Sequence, residues 1–176
     1  MTFARDTEQA LLAAVSLVNS AEAPDTLTSL AELDEFWAGF GYTGRHDRDE
    51  AELADVRALR PRLRQLLTAE RDTAVEMVND LLERAEARPK LVRHDDLDWH
   101  LHVVDPQTPL AERIAVETAM AMIDVIRADE MSRLDVCAQD DCQGVVLDLS
   151  RNRSKIFCSP SCSNRAAVAA YRARRR

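Results

Sequence analysis

The stretch CAQDDCQGVVLDLSRNRSKIFCSPSCSNR, residues 137–165, holds all four cysteines of the 176-residue chain: Cys137, Cys142, Cys158 and Cys162. Their spacing is C-x4-C, fifteen intervening residues, then C-x3-C. A tetrahedral cation needs such an arrangement: a tight turn brings each pair to one side of the ion, and the intervening segment brings the pairs together. With four thiolates and no fifth ligand nearby, zinc is the natural ion. The site is then closed and structural, because catalysis needs an open position for water or substrate. The alternatives are two disulfides, four unrelated thiols or an iron–sulfur cluster. Disulfides do not suit a reducing compartment, and the spacings match no common ferredoxin pattern.

The second pair opens a helix. Ser159-Pro160-Ser161 supplies an N-cap and a first-turn proline, and places Cys162 where free backbone N–H groups favour a thiolate. Between the pairs, Val145-Val146-Leu147 is followed by the basic, turn-like residues 150–155 and then Ile156-Phe157. A knuckle, a hairpin and a helix around one ion make a treble-clef-like module. It is too small to bury a core of its own, so removing zinc is expected to unfold it.

Charge divides the chain in the same place. Residues 133–176 carry nine Lys/Arg against four Asp, whereas residues 1–132 carry 14 Lys/Arg against 27 Asp/Glu. No acid follows Asp148, and eight basic residues do: Arg151, Arg153, Lys155, Arg165, Arg172, Arg174, Arg175 and Arg176. An acidic body with a basic end points toward nucleic acid or another anionic surface, against the plainer reading of a solvated tail. Arginine suits phosphate because its planar fork donates two hydrogen bonds at once. Asn164 adjoins a ligand and reads as a brace for the metal site more than as a base contact. Arg165 could serve either way.

The segments 137–142, 150–154, 157–159 and 162–165, ending at Tyr171-Arg172, together resemble a CGNR zinc finger. That family usually joins its finger to an N-terminal ABATE domain of stress-induced transcription regulators. The resemblance implies a bacterial DNA-binding regulator. The name-giving glycine is Ser163 here, so the motif reads C-S-N-R, and the four ligand positions are unaffected.

Residues 1–132 read as mostly helical, so the expected fold is mainly α with a β-hairpin (α+β), with domains at 1–132 and 133–176. The first helix is expected to be capped by Asp6 or Thr7, with Leu11, Val15 and Val18 inward and Leu12 beside them. Ser29 and Glu32 have capping-box spacing ahead of Leu30, Leu33, Trp37 and Phe40. A third helix starts near Asp49 and buries Leu53, Val56, Leu63 and Leu66, with a kink or break expected at Pro61. A fourth spans about 68–87 on Val75, Val78, Leu82 and Ala85. Alternation over 97–103 then predicts a half-buried strand whose partner is Leu91-Val92, a hairpin near 90–105 turning at Asp95-Asp96. Thr108-Pro109 is read as N-cap and N1 of a long helix reaching about Ser132, burying Leu110, Ile114, Met122, Val125 and Ile126.

At 46% hydrophobic and 31% charged residues, the composition is that of a globular domain rather than a disordered chain. Residues 1–19 are interrupted by Arg5, Asp6 and Glu8, unlike a signal peptide, and no membrane span is apparent, so a cytoplasmic location is expected. No catalytic triad, phosphate loop or paired catalytic carboxylates stand out, and no enzymatic activity is expected. His100 and His102 share a strand face, and Trp37 and Phe40 a helix stripe. The histidines could bind a metal or a small molecule and the aromatic pair could line an effector pocket, although solvated faces and core packing are the commoner fates. Dimerisation through the N-terminal domain is expected because one small finger would bind DNA weakly. The competing function is a finger that docks an acidic protein partner.

Overall fold

The computed structural model describes residues 3–94 and 97–175. The expected turn at Asp95-Asp96 and the terminal Arg176 lie outside them. Five helices and a hairpin precede the cysteine segment: α1 (Arg5–Asn19), α2 (Leu30–Gly39), α3 (Glu50–Leu67), α4 (Arg71–Arg84), β1 (Lys90–His94), β2 (Leu97–His102) and α5 (Leu110–Arg127). Then come β3 (Leu134–Val136), β4 (Val145–Leu147) and α6 (Pro160–Arg174). No helix among the described residues is long and apolar enough to cross a membrane.

α5 is the central element, packed against α1, α3 and α4. Its expected inward residues Leu110, Ile114, Met122, Val125 and Ile126 are all buried. They share one cluster with Leu11, Leu17, Leu33, Val56, Leu63 and Leu66. Ser29 and Glu32 form the expected capping box, and Asp49 caps α3 through the Glu52 amide. These local devices decide where helices start, because each satisfies amides that the first turn leaves without intrahelical partners.

Several expectations are corrected. α1 is entered from Ala4 with no side-chain cap, and Leu17 joins the core while Leu12 is 44% exposed. α3 runs unbroken through Pro61. α4 begins three residues later than expected and buries Ala74, Val78 and Leu81, leaving Val75 exposed. Pro109 is the N-cap of α5 rather than its first residue, and the helix ends at Arg127 before a short 3-10 turn at Met131–Arg133. The hairpin pairs Leu91 with Leu101 as an antiparallel ladder, but its apolar face is open: Leu91 is 66% and Trp99 64% exposed. Among the described apolar side chains of this segment, Val103, just past β2, is the one that is buried. Alternation correctly indicated a strand, but it could not reveal that no other layer covers it.

The cysteine segment does not have a wholly separate core. Leu134, Val145 and Leu147 belong to the same buried cluster as the helices. Asn19, the last residue of α1, accepts from the Val145 amide (2.6 Å) and donates to the Val145 carbonyl (2.8 Å). A side-chain amide thus takes the place of a strand neighbour for β4. Arg64 of α3 adds a hydrogen bond to the Gln143 carbonyl.

Candidate functional site

β3 and β4 pair antiparallel, Val136 opposite Val145, so the residues between them form the turn of one hairpin. That turn carries Cys137 and Cys142. The hairpin therefore brackets the first cysteine pair rather than lying between the two pairs, as the sequence suggested. Residues 148–157 form a loop returning to the knuckle, where the Ala138 amide donates to the Ile156 carbonyl (2.9 Å). Cys158 follows at once. Ser159 caps α6 through the Cys162 amide (3.2 Å), with Pro160 in the first turn, as expected.

The four Sγ atoms lie within 4.8 Å of one another, Cys142 to Cys158 at 3.5 Å and Cys158 to Cys162 at 3.7 Å. A zinc–sulfur bond of about 2.3 Å gives a tetrahedron edge of about 3.8 Å, so the set fits a tetrahedral thiophilic cation. All four cysteines are free thiols, which excludes the disulfide alternative. Three of the four are buried. Backbone amides already point at sulfur: Gly144 N to Cys142 (3.4 Å) and Cys158 N to Cys137 (3.4 Å). A Cβ on Gly144 would stand 2.8 Å from Cys158 Sγ, so the knuckle closes only around glycine there.

The electrostatics of the tetrad are uneven. The Ser159 cap and the Arg165 guanidinium pull the Cys162 thiol down to about 6, while burial and neighbouring sulfurs hold Cys158 far above its ordinary value. Four thiols this close cannot all ionise without a cation among them. Arg165 Nη2 meets Cys162 Sγ at 3.4 Å and Nη1 pairs with Asp141 at 2.7 Å, tying the helix to the knuckle. The bracing contact expected of Asn164 is therefore made by Arg165, and Asn164 is exposed on α6.

The basic residues fall into two groups. Arg153 is bound to Glu130 (2.8 Å) and Ser132 (3.1 Å). Arg151, Lys155, Arg172, Arg174 and Arg175 are exposed, and among the described residues none of them has an ion pair. Arg175 lies over the Tyr171 ring at 5.5 Å and donates to its hydroxyl. The loop bearing Arg151 and Lys155 is held by the buried Asp148 carboxylate, which accepts from the Ser150 and Lys155 amides, each at 2.8 Å. Burial alone would raise Asp148, but these bonds and Arg133 outweigh it and leave it below the usual carboxylate range. The lone acid inside a basic stretch was the available sequence signal for this anchor.

α6 stands apart from the body. Cys162 is its one buried residue, and Val168 and Tyr171 are about half exposed. At 100° per residue, Asn164, Arg165, Val168, Tyr171, Arg172 and Arg175 fall within an arc of about 120°. Ala166, Ala169, Ala170 and Ala173 lie outside it. Of the residues considered for an effector, Phe40 lines a cavity but Trp37 does not, being stacked on His46 (5.1 Å between ring centroids). His102 lines the same cavity, while the side chain of His100 lies outside the described residues.

A helical domain carrying a four-cysteine finger on a shared core is thus the class that fold and site define. Residues 12–129 match the ABATE family, described as "Putative stress-induced transcription regulator", and residues 133–175 match the CGNR zinc finger. The chain belongs to the ABATE family, with a CGNR finger following the ABATE domain. No curated protein matches it.

Proposed function

We propose that this protein is a DNA-binding transcription regulator in which one structural Zn2+, held by Cys137, Cys142, Cys158 and Cys162, aims α6 at a nucleic-acid groove. The N-terminal domain serves as sensor and dimerisation unit, and no catalytic step is assigned to it. What carries the reading is α6 itself: an almost fully exposed helix, anchored at its first turn to the sulfurs, with Arg165, Arg172 and Arg175 on one face and Arg174 turned away from it. A helix of this kind fits the roughly 12 Å major groove. Zinc would supply only the cross-link that fixes the angle of α6.

The acidic body would repel the duplex and confine contact to the finger and α6. Five exposed cations without ion pairs imply a log–log salt slope of about −4.5 on duplex DNA. A second reading, an acidic protein partner, draws on the exposed Val168 and Tyr171 among the arginines. Gel shifts over a salt series, with the full chain and an Arg172→Ala/Arg175→Ala variant, separate the two. DNA binding that is salt-insensitive or unaltered by the variant would refute the DNA assignment. Light scattering across a concentration series tests the dimer.

A further inference from the structure

A cavity of about 330 Å³ lies away from the finger, bounded by the first half of α1, the chain after α2, the end of β2 and α5. Its volume is at the lower end of those that hold small molecules. Ala10, Ala13, Phe40, Val103, Met120 and Ile123 give it an apolar wall. On the lining, the Tyr42 hydroxyl and the Glu117 carboxyl have no hydrogen-bond partner among the described residues, and neither does the exposed Arg127. Glu117 is partly buried, and Tyr42 is 8% exposed.

The one buried guanidinium at the cavity, Arg113, directs three of its five N–H donors to backbone carbonyls. It donates through Nε to the Thr108 carbonyl (3.0 Å) and through its other nitrogens to the carbonyls of Thr43 and Arg45. An anionic ligand would compete with those carbonyls for Arg113 and would lie against the Glu117 carboxyl. A ligand with a donor head would find a partly buried carboxyl with no protein partner among the described residues, an acceptor that gains from a charged donor.

We propose that this cavity is a binding site for a small primary amine with an apolar body, its ammonium group paired with Glu117 beside the Tyr42 hydroxyl. The site deepens the sensor part of the proposed function by naming the effector's chemistry. It does not depend on the finger's binding DNA. Taking a water's share of liquid volume as the yardstick, the space holds on the order of ten non-hydrogen atoms.

Burial raises the Glu117 carboxyl to about 7, with Arg113 acting against it. Below that pH, ammonium binding must expel a proton from Glu117, so affinity rises with pH up to about 7 and then levels. The other titratable or charged groups at the cavity are Asp6 of α1, Tyr42 after α2, His102 of β2, and Arg113, Asp124 and Arg127 of α5. Asp6 accepts from the Leu101 amide and Asp124 from the Thr7 hydroxyl, so neither is idle.

The test is calorimetric titration of the full-length protein, without DNA, using 4-phenylbutylamine, 4-phenylbutan-1-ol and 4-phenylbutanoate from pH 5.5 to 8.5. The amine should bind with Kd on the order of 10–100 μM, at least about tenfold more tightly than the other two. Glu117→Gln keeps the shape and neutral charge of the protonated acid. It should lose at least about tenfold in amine affinity, and the pH slope with it, while a slope from His102 would persist. Ala10→Leu, on the wall, should block amine and alcohol alike. No saturable amine binding up to about 5 mM, a carboxylate that binds as well as the amine, or an amine affinity unaltered by Glu117→Gln would overturn the proposal. A separate titration of DNA with and without amine reads the sensor role, so failure there leaves the cavity result standing.

Discussion

Arg165 has two duties that compete for one side chain. Its pairing with Asp141 and Cys162 Sγ makes it part of the metal site, and its position on α6 puts it beside Arg172. Arg165→Ala should therefore weaken zinc retention about tenfold, measured by competition with a chromogenic chelator. Gly144→Ala should do at least as much damage with no change in charge, because the new methyl would meet Cys158 Sγ at 2.8 Å. Glu117 makes a prediction of another kind. Its folded-state value, about 7, is above that of an exposed glutamate, so the folded protein holds a proton that the unfolded chain releases. Stability is then highest below about pH 4.5 as far as this group is concerned. It falls as pH rises, losing about 3 kcal/mol by the time Glu117 has ionised above pH 7. Urea melts from pH 5 to 8 should show this decline in the native protein, with a flatter profile in Glu117→Gln. Asp148 acts with the opposite sign: its contribution is present at neutral pH and is lost in acid as its lowered value is passed.

At the scale of elements, the sequence was most informative where a local rule dictates structure. The capping box at Ser29 and Glu32 and the Ser159-Pro160 start of α6 describe interactions within a few residues, and both formed as read; the two cysteine pairs, each local, also come together as their spacing indicated. The inward residues of α5 were equally plain, because its apolar positions repeat at helical spacing while Glu112, Asp124 and Arg127 mark its less buried side. What could not be read depends on neighbours distant in sequence. The α4 face rotates by one position to meet α5, and the hairpin lacks a covering layer. Arg113 and Glu117 look like a solvated i,i+4 pair, yet the packing of α1 and α5 turns both inward. Charged residues interrupting an otherwise apolar stripe were the only sequence trace of the cavity. α6 yields a prediction at this scale. It has almost no apolar burial, so its persistence should depend on the sulfur anchor and on its alanines. Chelation or Cys162→Ser should reduce far-ultraviolet helicity by about one helix's share, while the five-helix body still melts cooperatively.

For the whole molecule, the shared core alters how the finger can be removed. Cutting the chain after residue 132 would take away Leu134, Val145 and Leu147, which are 8%, 0% and 2% exposed, and uncover the surfaces that they protect. Such a fragment should lose about 5 kcal/mol and tend to aggregate, whereas a Cys158→Ser full-length chain should keep the helical body. Comparing the melting curves of the two checks this, and it makes point variants the sounder way to separate DNA binding from folding. The position of α1 has a further consequence. Its early turns line the cavity, and its last residue, Asn19, grips β4 beside the cysteine knuckle. The helix is about 22 Å long and behaves as a single stiff rod at that length. An occupant that displaced its front end would move Asn19 with it, with no loop between the two to absorb the shift. Asn19→Ala removes the two hydrogen bonds that tie the far end of α1 to β4 and leaves only apolar packing between them. That variant should take up amine and zinc each as before, while amine no longer alters the chelator-measured off-rate of zinc.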